Sequence, residues 1–310
     1  MAELDLLVLG DCNPDLIVTG DVEPAFGQVE QIVDGATLTI GGSGAIVACG
    51  AARLGLHAGL IAEVGDDLFG HFMLESLTER GVDVGGCHMT QTRPTGVSVM
   101  LARGHDRAIL TAMGSIGSLI ADGIDRDRLR ASRHVHVSSY FLQSGLQRDL
   151  GAIFDESHEA GGTTSVDPNW DPSGRWDGDL LALLQDTDCF FPNETEACRI
   201  AGTTFIDAAV ETLAKATSVV AVKRGAAGGL VRSGDQLIRE SALTVEEVAD
   251  TTGAGDSFDA GFIAGRVLGW PLDRCLALGC GCGSLSTRLP GGTAAQPTME
   301  EATRALGFSP

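Results

Sequence analysis

Six short apolar runs, at 4–10, 58–64, 133–138, 163–167, 188–191 and 218–223, read as strands, and helix-like stretches lie between most of them. This alternation constrains the fold more than any other property of the chain. Strands joined by helical connections imply a parallel sheet covered by helices on both faces. Two segments break the rhythm. Residues 15–40 hold β-type runs at Asp15–Thr19 and Thr37–Ile40 with no helix between them, and Gly96–Met113 reads as a hairpin around Gly104-His105-Asp106-Arg107. Such strands, inserted near the ends of the main ones, could form a small second sheet. Beyond residue 250 the pattern turns mainly helical, from about 255 to 285, followed by the loop LPGGT and a short helix from Thr298. No repeat or interdomain linker is evident, so residues 1–310 are expected as one α/β domain.

With 44% apolar residues among 310, the chain can bury a large core, and no apolar run approaches the ~18 residues of a membrane span. The start, MAELDLLVLGD, has the look of a first strand and not of a signal peptide, which makes the cytoplasm the expected compartment. The net charge of −21 would repel a phosphate backbone, so nucleic acid is not an expected partner, and with no long apolar run a membrane is not expected either. Eight cysteines are scattered without CxxC pairs or zinc spacing, and they read as small buried hydrophobes. His134 and His136 share one face of a strand with no carboxylate or cysteine to support a metal, and they read as structural.

The segment with most chemistry is Asp250-Thr-Thr-Gly-Ala-Gly-Asp-Ser-Phe-Asp-Ala-Gly-Phe262. Gly253, Ala254 and Gly255 can bring backbone N–H groups close to a ligand, and the spacing of Phe258 and Phe262 starts a helix here. The first N–H groups of a helix lack internal partners, which makes the turn an anion site. Asp256 then has two readings. It is placed to take a proton from an attacking hydroxyl beside a transferring phosphoryl group, or it merely complements the dipole of a helix capped by Thr252.

Other segments also carry two readings. Gly41, Gly42 and Gly44 precede a small-residue helix over Ala45–Leu54; they give a close-approach turn, which in isolation reads better as tight helix–sheet packing, since the spacing is not that of a dinucleotide fingerprint. Asn13 and Asp15 follow the first strand, where polar groups face a ligand crevice or simply make a turn. Asn193 and Glu196 start a helix after the strand Cys189–Phe191 and could hold hydrated Mg²⁺ or form a capping box. Lys223-Arg-Gly225-Ala-Ala-Gly228 could offer a cation and bare backbone to phosphates, or be a hairpin turn. Lys215 and Lys223 are the chain's two lysines.

Taken in order, GDCNPD, GGSGA, VGDDLFG at 64–70, DPN at 167–169, NETE, KRGAAG and DTTGAGDSFDAGF resemble the ribokinase-like PfkB family of carbohydrate and nucleoside kinases, from residue 4 to about 300. The resemblance implies a three-layer α/β/α fold with a mostly parallel central sheet and a small β lid from segments about 12–40 and 94–113, often also a homodimer surface. It implies an ATP-dependent sugar kinase. Asp256 would be the general base, with the N–H groups of Gly253, Ala254, Gly255 and Asp256 as the anion hole. Asn13, Asp15, Gly41 and Gly42 would bind acceptor hydroxyls. Lys223, Gly225 and Gly228 would line the nucleotide site, and Asn193 and Glu196 would organise Mg²⁺ and phosphates. Asp250 and Thr252, with the loop near Gly291, match where many members bind a monovalent cation such as K⁺.

Two departures bear on specificity. Ile46 stands where the family usually has Asn, which removes one sugar contact, and Gly279 stands where an Asn or His often lies beside adenine. Ile46 and Phe26 could instead offer a nucleobase an apolar surface, so a nucleoside kinase is the alternative within the enzyme class. A non-catalytic sugar-binding regulatory protein is the alternative outside it.

Overall fold

Along Leu6–Leu9 the side chains alternate between two cores: Leu6 and Val8 pack in one, Leu7 and Leu9 in the other. A strand buried on both faces must lie between two helical layers. The computed structural model, which describes residues 4–103, 106–176 and 179–308, places it there. The strands are β1 Leu6–Leu9, β2 Asn13–Thr19, β3 Gly35–Gly41, β4 Ala58–Ile61, β5 Glu63–Gly65, β6 His88–Thr90, β7 Val97–Arg103, β8 Asp106–Ala112, β9 His134–Val137, β10 Thr163–Val166, β11 Cys189–Phe190, β12 Val219–Lys223, β13 Gly229–Ser233 and β14 Gln236–Glu240.

The main sheet runs β14-β13-β12-β11-β10-β9-β1-β4. Pairing is parallel from β4 to β12, and β13 and β14 extend the edge antiparallel. Helices Ser43–Arg53, Ala254–Val267 and Leu272–Ser286 cover one face, and Leu150–Glu159, Glu194–Ile200 and Ile206–Leu213 cover the other. The helical stretch expected over 255–285 is two helices, broken between them by Gly269 in the left-handed region (φ 75°) and by Pro271.

Residues 13–41 and 97–112 form a separate sheet, ordered β3-β2-β7-β8. β7 and β8 pair antiparallel as the hairpin reading expects, and its tip residues Gly104 and His105 lie outside the described residues. Asn13 and Asp15 are not in a turn: they begin β2, with Asn13 opposite Gly41 and Asp15 opposite Thr39. The carboxyl ends of β1, β9, β10, β11 and β12 lead to Asp11, Ser138, Asp167, Asn193 and Lys223 along a single edge of the main sheet, where open α/β sheets bind ligands. His134 and His136 are buried and bonded to the Thr163 and Ser165 hydroxyls, and burial pushes both pKa values down to about 3. They are neutral parts of the core.

Candidate active site

The helix Ala254–Val267 starts from Gly253, whose φ of 70° favours glycine and whose added Cβ would stand 2.6 Å from Gly292 Cα. No side chain among the described residues caps this end. Thr252 therefore does not play the capping part open to it in the sequence; its N–H and hydroxyl both donate to Asp250 Oδ1, at 2.9 and 2.8 Å. The first intrahelical bond is Ser257 N–H to Gly253 O, at 2.8 Å, and the Ala254 N–H is drawn to Thr251 O at 3.3 Å. Ala254 is thus engaged within the turn, whereas the N–H groups of Gly253, Gly255 and Asp256 meet no backbone acceptor among the described residues. That leaves three donors at the positive end of a 14-residue helix.

Two cavities meet at this turn. One of 890 Å³ lies under the small sheet and is lined by Asn13, Asp15, Gly42, Ile46, Asn193, Glu196 and Asp256. The other, of 470 Å³, is lined by Gly225, Gly228 and an apolar wall including Leu243, Val245, Val248 and Phe258. Lys223, Gly225, Thr251, Ala254 and Gly255 line both. The bare-backbone turn is the shared wall between a polar chamber and a largely apolar one.

Three expected site residues stand elsewhere. Gly41 does not line the cavity; a Cβ there would fall on the Asp15 carboxylate, so its role is to let Asp15 stand over β3. Gly279 is outside the smaller cavity because it faces the Phe258 ring, 3.1 Å from where its Cβ would be, and serves close packing of the two long helices; Cys280 and Gly283 line the cavity in its place. Phe26 is 97% exposed in the loop between β2 and β3 and lines neither cavity, because no strand pairing ties that loop down.

Lys223 is more deeply committed than a loop lysine waiting for phosphate. Its Nζ lies 2.6 Å from Asp167 Oδ2 and 3.1 Å from Asp259 Oδ2, and it passes under Gly255, 3.7 Å from where a Cβ would be. Asp167, Asp256 and Asp259 each have a carboxylate oxygen within 4.8 Å of the others. Environment separates the three. Burial opposes the charge of Asp167, but the Lys223 ammonium together with hydrogen bonds from Asp259, Lys223 and the Asn169 N–H holds its pKa low. Burial pushes Asp259 well up, and the neighbouring Asp167 charge adds to the shift, so Asp259 is a neutral acid. Asp256 is half-buried, open to the larger cavity, and raised to about 7 by burial and then by the Asp167 charge.

Several cavity residues carried no assigned role in the sequence. Asp11 is buried and accepts from Ser43 N–H and Gly44 N–H (3.1 and 3.0 Å), which anchors the helix start that Gly42 leaves uncapped. The close packing expected of this glycine turn is present as well: a Cβ on Gly44 would stand 3.1 Å from Gly10 Cα. Asn169 holds φ 53° and donates to Ser139 Oγ at 2.9 Å, fixing the chain beside Asp167, and the half-exposed Trp170 follows it on the cavity wall. The DPN motif at 167–169 was the signal for Asp167 and Asn169; Arg107, also on this wall, had none.

Residues 3–299 match the pfkB family carbohydrate kinase model. The chain belongs to the pfkB family of carbohydrate kinases. It is 32% identical over 315 residues to a fructokinase of Klebsiella pneumoniae, covering 96% of this chain and 98% of that one. The ribokinase of Arabidopsis thaliana, solved with ribose and ATP, superposes with a TM-score of 0.85 at 25% identity over all of both chains. A structure described as a ribokinase II of Escherichia coli, with ATP and Mg²⁺, gives 0.87 at 25% identity over 99% of both. This pfkB kinase is accordingly a phosphotransferase with an alcohol group as acceptor.

In this pfkB kinase Asn193 and Glu196 do form a capping box. Asn193 Oδ1 accepts from Glu196 N–H, while Glu196 Oε1 and Oε2 accept from the Asn193 side chain and backbone at 2.5 and 2.8 Å. Both carboxylate oxygens are engaged and the residue lines the cavity, which suits a hydrated Mg²⁺ held through water better than one bound directly. Capping and metal binding are not exclusive here. The Asp250 and Thr252 pair does not fit a monovalent cation in the same way. Asp250 Oδ1 already serves Thr252 and Arg107, and Oδ2 accepts from Gly291 N–H at 2.9 Å.

Proposed function

We propose that this chain transfers the γ-phosphate of ATP to a hydroxyl of a small sugar or sugar derivative, with Asp256 as general base. One observation carries this reading: of three clustered carboxylates Asp259 is sealed in the core and Asp167, though on the cavity wall, is tied to Lys223 and held low, whereas Asp256 lines the cavity half-buried with a pKa near 7 that suits a base at neutral pH. The acceptor would lie in the larger cavity against Asn13, Asp15 and Gly42, and ATP would lie in the smaller one past Gly225 and Gly228. Asp256 takes the proton as the acceptor oxygen bonds to the γ-phosphorus, and the bond to the bridging β–γ oxygen breaks to release ADP. The N–H groups of Gly253, Gly255 and Asp256, with Lys223 behind Gly255, stabilise the charge on the transferring group. Mg²⁺, held through water by Asn193 and Glu196, would supply charge neutralisation on the nucleotide phosphates. The small sheet would act as a lid that excludes water.

Ile46 and Trp170 give the larger cavity apolar wall, and this favours a nucleoside acceptor as the second reading. ATP use and eight free cysteines fit a reducing cytoplasm. Ile109 and Leu110, 49% and 61% exposed on β8, fit a homodimer surface on the lid. The test is a coupled ADP-release screen with Mg·ATP across pentoses, hexoses, sugar acids and nucleosides. Turnover with a sugar supports the main reading and turnover with nucleosides alone the second. Acceptor binding by calorimetry without ADP formation would mark a non-catalytic sugar-binding protein.

A further inference from the structure

Arg107 lies on β8, the edge strand of the small sheet, and reaches across the cavity to the loop just ahead of the anion hole. Its Nη1 stands 3.3 Å from Asp250 Oδ1, 3.1 Å from Thr251 Oγ1 and 3.1 Å from Thr252 Oγ1. Three oxygens on consecutive residues thus converge on one nitrogen of a permanently charged group that only donates. The Asp250 carboxylate is 17% exposed and Arg107 33%, so the pair is partly shielded from water. Burial works against the Asp250 charge, but bonds from Gly291 and Thr252, together with Arg107, hold its pKa below the usual range. With both Asp250 oxygens occupied by donors, the turn has its positive charge from within the chain.

We propose that Arg107 is the resident cation of the 250–252 turn: a positioning residue, carried by the small sheet, that holds Asp250, Thr251 and Thr252 in place ahead of the anion hole and frees this kinase from any need for an added monovalent cation. Because the cation arrives with the small sheet, lifting that sheet withdraws it from the turn. Seating of the sheet over an acceptor and ordering of the donors on Gly253, Gly255 and Asp256 are then one event. The kinetic part of this inference rests on the function proposed above, and its thermal part does not.

The experiment compares full-length wild type, Arg107→Met and Arg107→Lys in KCl and in tetramethylammonium chloride at equal ionic strength. Wild type should melt at the same temperature in both salts, whereas Arg107→Met, with its oxygens exposed, should melt higher in KCl, as expected when an ion binds only the folded state. In turnover, wild type should be indifferent to the salt. Arg107→Met should lose about 10- to 100-fold in kcat in tetramethylammonium, the scale of a small misplacement of catalytic groups, with acceptor KM little changed. Partial recovery in KCl, and retention of most activity by Arg107→Lys, would support the assignment. A wild-type enzyme that turns over only in KCl, or that melts several degrees higher in it, overturns the proposal. So does Arg107→Met turning over at the wild-type rate in tetramethylammonium. If Arg107→Met does not fold, the wild-type salt comparison and Arg107→Lys still decide. Absence of turnover with every acceptor defeats the proposed function alone, since the melting comparison stands without it.

Discussion

Lys223 Nζ lies 2.6 Å from Asp167 Oδ2, an ion pair that joins β12 to β10 across the intervening β11 at the carboxyl edge of the main sheet. The same ammonium backs Gly255, so it links the sheet to the anion hole. Removing it by Lys223→Met leaves the buried Asp167 carboxylate without its cationic partner, which costs about 3–5 kcal/mol in comparable buried pairs. Urea unfolding should show a loss of that size at pH 7. The sign with pH follows from Asp167, whose pKa is lowered in the fold: its contribution is present above about 4 and is lost as pH falls through the folded value. The difference between Lys223→Met and wild type should therefore shrink toward acid pH. A difference independent of pH would show that the packing of the lysine stem matters and its charge does not.

Asp256→Asn should lower kcat by about 10²–10⁴-fold, the range for a positioned base. In wild type, kcat/KM should rise with pH through about 7 as the carboxylate forms. Stability moves oppositely. A carboxyl raised from 3.8 to about 7 favours the fold fully below its unfolded value, and that contribution is lost as pH climbs through 7. Asp256→Asn should therefore melt at or above the wild-type temperature at pH 8. Near-normal turnover in this variant would end the assignment of Asp256.

Much of this arrangement was legible in the sequence, and the illegible part has identifiable causes. Leu6–Leu9 reads as a central strand because every residue is apolar, and the 253–256 turn reads as an anion site because bare backbone is visible as Gly-Ala-Gly. β14, Gln236–Glu240, did not stand out, since its outer-edge residues are mostly exposed and polar. Lys223 shows in the sequence as a cation, but its partners Asp167 and Asp259 come from β10 and from a helix far along the chain, so only the fold reveals that it is committed. Arg107 sits in an exposed hairpin where an arginine is ordinary, and its meaning arises from reach across a cavity. Asn193 and Glu196 form the capping box open to them in the sequence, and because an amide and a carboxylate at a helix start suit a cap and a hydrated metal alike, the sequence does not separate the two. Gly41 and Gly279 line neither cavity, and the sequence hides this for a simpler reason: a glycine marks a close approach without saying what approaches.

Gly41→Ala tests whether Asp15 has to stand where it does. The new methyl would fall on the Asp15 carboxylate, so that side chain must swing away, while β3 keeps its pairing with β2. Acceptor KM should rise by tenfold or more and kcat should change less, with a stability cost of about 1–3 kcal/mol from overpacking. Unchanged KM would mean Asp15 does not touch the acceptor.

Asp259→Asn separates the base from its neighbours. Asp259 and Asp256 share the carboxylate cluster and lie three residues apart on one helix, so an unspecific effect of charge near the turn would strike both variants alike. Asp259, however, is fully buried and held neutral, and in that form it is a hydrogen-bond donor to Asp167. An asparagine amide keeps a donor of similar shape, so Asp259→Asn should leave kcat within a few-fold of wild type, against the 10²-fold or greater loss expected for Asp256→Asn. The acid limb of its pH–rate profile should remain near 7, because the group that titrates there is still present. Equal losses in the two variants would mean that the cluster acts as a coupled unit, and that the cavity-facing position of Asp256 does not single it out as the proton acceptor.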